Sequence, residues 1–347
     1  MLICRNCFTD IELQAEVENE GSSNEKGCEV CGGNGKVIDI DHFSDFFDSL
    51  IRLFKKDESS TYTLIDAIQS KWNIFSVKIF AENILSYIIS LKHIDININD
   101  TVSFVDEIQS DIDIWKRIKE NLTKRYRFFT GSDDIDSRNL ISFDFEAPYY
   151  RISNCGIIQL KPGDILYRAR ITEAGKEQLT PEEMSCPPNN KAVAGRANPL
   201  GIPYLYLCQD IKTTYYEVRA GYLDKISVGS FKVQRNLNIV NFDFQLSPYL
   251  VYVDGGDSEL KKQVIKYEFL KEIRDDLSKP LTRYDTELEY VPTQWICEYC
   301  KINGADGISF NSSLDKEGVN YVLFNQDDVR CTNVTSHTIE KIDIIAS

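Results

Sequence analysis

The chain has 347 residues, enough for two or three domains with sizeable cores. Hydrophobic residues make up 42% and charged residues 27%, as in an ordinary globular protein. The formal charge of −15 excludes a sequence-independent grip on nucleic acid, which needs net basic surface, but still allows a local basic pocket for phosphates.

No apolar run approaches the ~18 residues that span a bilayer, and Met1-Leu2-Ile3-Cys4 leads straight into charged residues rather than a secretory leader. No membrane partner is expected, and the expected location is cytoplasmic. In that compartment ten cysteines are expected as metal ligands, buried small residues or exposed thiols, not as a disulfide framework.

Residues 1–40 carry Cys4, Cys7, Cys28 and Cys31 in the spacing C-x2-C-x20-C-x2-C. Two such knuckles supply four thiolates tetrahedrally, the donor set of a structural zinc. Protein fills all four positions, so no open coordination site is implied. Gly32-Gly33 follows the second knuckle, where a tight turn near the metal favours small residues. Cys297 and Cys300 repeat the spacing, but they lie in the helical-looking TQWICEYCKING with no second pair nearby. Cys155, Cys186, Cys208 and Cys331 are scattered, and none has a neighbouring histidine to make a nucleophile of it.

Residues 41–135 read as a small helical bundle. His42 to Phe47 opens one amphipathic segment. Leu64, Ile65, Ile68 and Trp72 share a face of the next, and Val77, Phe80, Ala81, Ile84 and Ile88 of a third. Ile112 to Phe129 makes a fourth, with Trp115, Ile118 and Leu122 on one side. DININDTVSF between them reads as a loop. Helical RNase modules of the HEPN type set an arginine and a histidine a few residues apart on one helix. None of His42, His93 and His337 follows an arginine at that spacing. The bundle is therefore expected to be structural or regulatory, and the basic run Lys116 to Arg127 a solvated helix face.

Residues 136–347 change character and read as an α+β domain with a mixed sheet. GDILYRARIT alternates as a strand, and PPNNKAVAGRANPLGIP is a loop. YLYLC is a short strand, and KTTYYEVRAG a helix start with Asp210 or Thr213 as cap. SVGSFKVQ and NIVNF are strands. Asp257 to Leu277 is an amphipathic helix and YVPTQWICEYCK another, and DGISF and NYVLF close the pattern as strands.

Arg196, Tyr206 and Glu217 stand at fixed offsets around the apolar YLYLC run. A guanidinium matches phosphate with a two-pronged charged fork, a phenol ring stacks on a flat base, and a carboxylate stabilises a ribosyl cation. The bland readings are that Glu217, near a helix start, complements the helix dipole, and that Tyr206 is core.

The half resembles the RES family of NAD-degrading toxins, through YRAR, GRANPLGIPYLYL, Glu217-Val218-Arg219, Ser227-Val228, YVPTQ from Tyr290, and DGISFNSS followed by GVNYVLF. The paired knuckles and helices in front resemble the N-terminal region often joined to such domains, with a HEPN-like bundle. The resemblance implies a fold like the ADP-ribosyltransferase core, two packed sheets around an NAD cleft, and cleavage of the nicotinamide–ribose bond. Carried over by position, Arg196, Glu217 and Ser312 fill the naming triad. Tyr206 fills the tyrosine position and Arg168 the arginine of the first strand. Tyr167, Arg170 and Ser313 are further candidates around the dinucleotide, with Arg219 a weaker phosphate candidate. Ser312 is not cast as a nucleophile, since no base is paired with it. The final strand motif carries Phe310 where a tyrosine is common, which keeps the ring and loses the hydroxyl.

NAD is thus the expected substrate and structural zinc the expected metal. Because draining NAD poisons the host, an antitoxin or regulatory protein is an expected partner. Whether copies form a homo-oligomer, and whether water or phosphate accepts the ribosyl group, stay open. Two rival readings are mono-ADP-ribosyl transfer to a macromolecule and a non-enzymatic zinc and helical adaptor.

Overall fold

The computed structural model describes residues 1–24, 27–127, 156–279, 287–315 and 317–341. Cys155, Phe128 and Phe129, and the expected boundary near residue 135 lie outside them. The chain forms two compact units, Met1–Asp113 with Gln245–Glu268, and Ile114–Phe244 with Phe269–Ser347. Among the described residues no helix is long and apolar enough to cross a membrane.

In the first unit, β1 (Leu2–Cys4) and β2 (Ser22–Ser23) both pair antiparallel with β3 (Lys36–Asp39). Helix α1 (Ile11–Glu20) joins them and was not expected from its acidic sequence. Asp10 starts it, its carboxylate accepting the N–H groups of Glu12 and Leu13. Helices α2 (Ser44–Ile51), α3 (Leu64–Trp72) and α4 (Lys78–Lys92) follow the periodicity of their apolar residues. Their core is aromatic: Phe8 packs on Phe43 and Phe75 with ring centroids 5.9 Å apart, and Phe47 stacks on Phe75 at 5.7 Å.

One local expectation fails here. DININDTVSF is not all loop, because β5 (Val102–Phe104) pairs with β4 (Phe54–Lys56) and stacks Phe104 on Phe54. The fourth helical segment forms as α6 (Ile114–Lys124), preceded by a separate helix α5 (Asp106–Ile112), and α6 belongs to the second unit. There Trp115 is fully buried, packs edge-on against Phe269, and donates its indole N–H to Asp276 at 2.6 Å.

Among the described residues the second unit is built on one eight-stranded mixed sheet, not two. Its strands are β6 (Ile157–Leu160), β7 (Ile165–Ile171), β8 (Leu205–Cys208), β9 (Lys225–Val233), β10 (Leu237–Asn241), β11 (Gly307–Asn311), β12 (Val319–Leu323) and β13 (Val329–Thr338). The order is β13-β9-β7-β8-β12-β11-β10-β6, and only β10 and β11 run parallel. Leu205, Leu207, Phe231, Leu237, Ile239 and Leu323 form its buried face, each such side chain contributing about 1.5–3 kcal/mol.

One seam interrupts the sheet. β7 pairs with β9 along its whole length but with β8 only at Tyr167↔Cys208. The sheet therefore nearly divides there, and a cleft has room to open between its halves. Helix α7 (Ile211–Glu217) leaves the end of β8 at this seam, capped by the Asp210 carboxylate on the N–H of Thr213. Helix α8 (Pro248–Ser278) is interrupted at Gly256, whose φ of 68° an L-residue rarely adopts. The apolar helical pattern begins at Asp257, directly after that break. Helix α9 (Val291–Ile302) has Pro292 in its first turn and buries both Cys297 and Cys300 as ordinary core thiols.

Candidate active site

A cavity of about 440 Å³ opens at the seam. Tyr167, Arg168, Arg196, Tyr206, Glu217 and Ser313 line it, with Arg219, Tyr290, Phe310 and Asn320. The guanidinium of Arg196 and the carboxylate of Glu217 thus share one cleft, although they come from a loop and from a helix end.

Glu217 is the last residue of α7, not near a helix start. A carboxylate there meets the negative end of the helix dipole, which disfavours it by about 0.3–1 kcal/mol. Dipole complementarity therefore does not explain this residue. Two donors reached across the sheet hold it instead: Ser312 Oγ and Asn320 Nδ2 each donate to Glu217 Oε1 at 2.7 Å. Asn320 is oriented by the thiol of Cys208, which donates to its Oδ1 at 3.3 Å. Ser312 is buried and sits behind Glu217, while its neighbour Ser313 lines the cavity. The Ser312 hydroxyl also accepts the backbone N–H groups of Leu314 and Asp315, both at 3.2 Å, which fixes the turn.

That turn is fastened to the opposite end of α7. Asp315 accepts from Thr213 Oγ1 at 3.1 Å and pairs with Lys212 at 3.3 Å. Both ends of one short helix are therefore tied to the segment between β11 and β12. Burial works against ionising Asp315, but the bonds from Lys212 and Thr213 outweigh it and hold its pKa below the usual carboxylate value.

Arg196 is held by its surroundings. Its Nη1 donates at 2.7 Å to the carbonyl of Leu277, one of the orphan carbonyls at the C-terminal end of α8. Its own carbonyl accepts from Thr293 Oγ1 at 2.7 Å. Gln294 Nε2 donates to the carbonyls of Gly195 and Asn198 at 2.8 and 3.0 Å. The YVPTQ motif is thus the clamp that shapes the Arg196 loop. Burial lowers the pKa of Arg196, while Tyr290, Glu217 and Tyr206 oppose that effect.

Tyr206 is committed through its hydroxyl. It donates to Asn198 Oδ1 at 2.8 Å and accepts the N–H of Ala197 at 3.2 Å, leaving the ring to line the cavity. Burial pushes its pKa well up, so the phenol stays protonated. Gly195 is required here, since a Cβ would lie 2.7 Å from both Asn198 Oδ1 and the Tyr206 hydroxyl.

Arg168 lines the cavity but spends Nη1 on the carbonyls of Met184 and Ser185, at 3.1 and 3.2 Å. Burial lowers its pKa. Arg170 stands apart from the lining residues: two positions further along β7, it donates to the carbonyl of Glu183. Asn198, Thr293, Gln294 and Asn320 were given no role from sequence. The partners of Thr293, Gln294 and Asn320 lie far away in the chain, whereas Asn198 bonds within its own loop and to Tyr206 eight positions on.

The four cysteines of the first unit form a separate candidate metal centre. Their sulfurs all lie within 4.8 Å of one another. A zinc–sulfur bond of ~2.3 Å sets the sulfurs of a regular tetrahedron about 3.8 Å apart, so the set fits the ion. Cys4 and Cys31 sulfurs are 3.3 Å apart, and those of Cys7 and Cys28 3.5 Å. Burial works against the Cys28 thiolate, yet the backbone N–H groups of Cys31 and Val30 outweigh it and lower its pKa. Burial pushes Cys4 up to about 11. Gly33 lies against the site, since a Cβ there would be 3.1 Å from the Cys31 sulfur.

The RES domain model matches residues 165–342, about half of the chain and all the residues that line the cavity. No curated protein matches the chain. Among solved structures, a chain of the M. tuberculosis MbcT–MbcA toxin–antitoxin complex is similar at 14% identity, with a TM-score of 0.29. The match covers 57% of this chain and 94% of that one.

Proposed function

Because the chain belongs to the RES domain family, we propose that it is an enzyme that degrades NAD by cleaving the nicotinamide–ribose bond. The observation that carries this reading is the shared cleft of Arg196 and Glu217, with Glu217 held at a helix end that disfavours its charge. Such a placement sacrifices stability for a site.

Breaking the bond builds positive charge on the ribose, as in glycoside hydrolysis. Glu217, its Oε1 fixed by Ser312 and Asn320, keeps Oε2 for that charge or for a ribose hydroxyl. Ser312 acts as a positioning residue. The ring of Tyr206 stacks the nicotinamide while its hydroxyl stays with Asn198. The free N–H groups of Arg196 reach a phosphate. Arg168 secures the 184–185 loop beside the cleft. Water or inorganic phosphate takes up the ribosyl carbon. Incubation of the purified protein with NAD, with and without phosphate, tests this when products are resolved by mass. Nicotinamide with ADP-ribose or its phosphate ester supports it, and a labelled macromolecule indicates transfer instead.

In the first unit, Cys4, Cys7, Cys28 and Cys31 hold a structural zinc, which supplies folding free energy and no chemistry of the reaction. A protein that drains NAD needs restraint, so an antitoxin or regulatory partner belongs to this reading.

A further inference from the structure

Helix α7 ends in an unusual cap. The N–H of Ala220 bonds to the carbonyl of Tyr215 at 3.2 Å, and the N–H of Arg219 to that of Tyr216 at 2.9 Å. This is the Schellman pattern, in which the residue after the C-cap adopts left-handed backbone. Tyr215 and Ala220 pack against one apolar cluster, the contact that accompanies the motif. The left-handed residue is Arg219, with φ of 50°. Glycine is the usual occupant, because a Cβ is strained there. A helix cap selected for stability alone would carry glycine at 219.

The side chain explains the exception. Arg219 lines the cavity, two residues after Glu217. Among the described residues its guanidinium makes no hydrogen bond or ion pair. The other two lining arginines are partly committed, Arg168 to two carbonyls and Arg196 to one. The Arg219 charge works against that of Arg196, an effect the carboxylate of Glu217 opposes and a bound anion would relieve further.

We propose that Arg219 is a binding residue for the diphosphate of the substrate, the second cation of a pair with Arg196. The inference rests on the NAD reading above. A dinucleotide diphosphate carries two negative charges, and two guanidinium forks match them. The strained cap sets the backbone from which this second fork reaches the cleft. Arg219 holds the substrate and touches no reacting atom, so it governs binding more than the chemical step.

The substitution Arg219→Gly separates stability from binding. It relieves the backbone strain, so Tm rises by about 2–4 °C. It removes the fork, so KM for NAD rises about tenfold or more, while kcat stays within about threefold. Arg219→Lys keeps the charge and restores part of the lost affinity. An unchanged KM in Arg219→Gly, or a raised KM that lysine does not partly restore, overturns the inference. Wild-type protein inert toward NAD defeats the enzymatic reading instead. In that case ADP-ribose binding by calorimetry still decides on Arg219, and equal affinity in wild type and Arg219→Gly refutes its role.

Discussion

Ser312 Oγ donates to Glu217 Oε1 at 2.7 Å, across 95 positions of sequence. The bond ties the two side chains together directly and gives the serine a task that needs no nucleophilic chemistry. Ser312→Ala should lower kcat by about tenfold to a hundredfold with little change in KM, the effect of a slightly misplaced catalytic group. Asn320→Leu removes the second donor to the same oxygen and should do likewise. Steady-state kinetics on both variants checks this, and trapping of a covalent ribosyl-serine would refute the positioning role.

Gly195 tests the architecture of the loop. A methyl group at this position collides with the Asn198–Tyr206 hydrogen bond. Gly195→Ala should destabilise the protein by about 1–3 kcal/mol and weaken NAD binding, because Tyr206 and Arg196 lose their setting together. Thermal melts and substrate titration would show it.

The cysteine cluster predicts a stoichiometry. The full-length protein should contain about one zinc ion per chain, and Cys28→Ser should lose it. Loss should lower Tm, since bound metal contributes folding free energy to the small Cys4–Cys31 segment. Metal analysis of both proteins is the check, and a metal-free wild type of full stability would contradict it.

Asp315 predicts an acid limb. Its folded pKa lies below the unfolded value of about 3.9. The stability it contributes is therefore present above that value and lost as pH falls through the lower, folded pKa. Between pH 7 and pH 2 the Tm of Asp315→Asn should fall less steeply than that of wild type. Melting curves across that range measure the difference.

Much of the second unit was legible because its strands and helices carry strong periodicity. YLYLC, DGISF and NYVLF mark β8, β11 and β12, and the apolar stripe after Gly256 marks α8. The polar strand β13 was not legible: an edge strand with one neighbour leaves much of its sequence exposed and reads as a loop. β5 was hidden for a different reason: it is three residues long beside a polar turn. Arg196, Tyr206 and Glu217 could be named from residue type and motif. The partners of Arg196 and Glu217 could not, because Thr293, Ser312 and Asn320 meet them only through tertiary folding. The helix end at Glu217 is hidden in the sequence because its stop signal is an arginine standing where glycine is usual.

On the proposed reading, the carboxylate of Glu217, in the cleft of Arg196, promotes loss of nicotinamide from NAD. Nicotinamide release by purified wild-type protein, compared with Glu217→Gln, measures it most directly. Wild type should release nicotinamide steadily and the variant about 10²–10³ more slowly, with the fold intact. Equal release by the two proteins, or none by wild type, would contradict it.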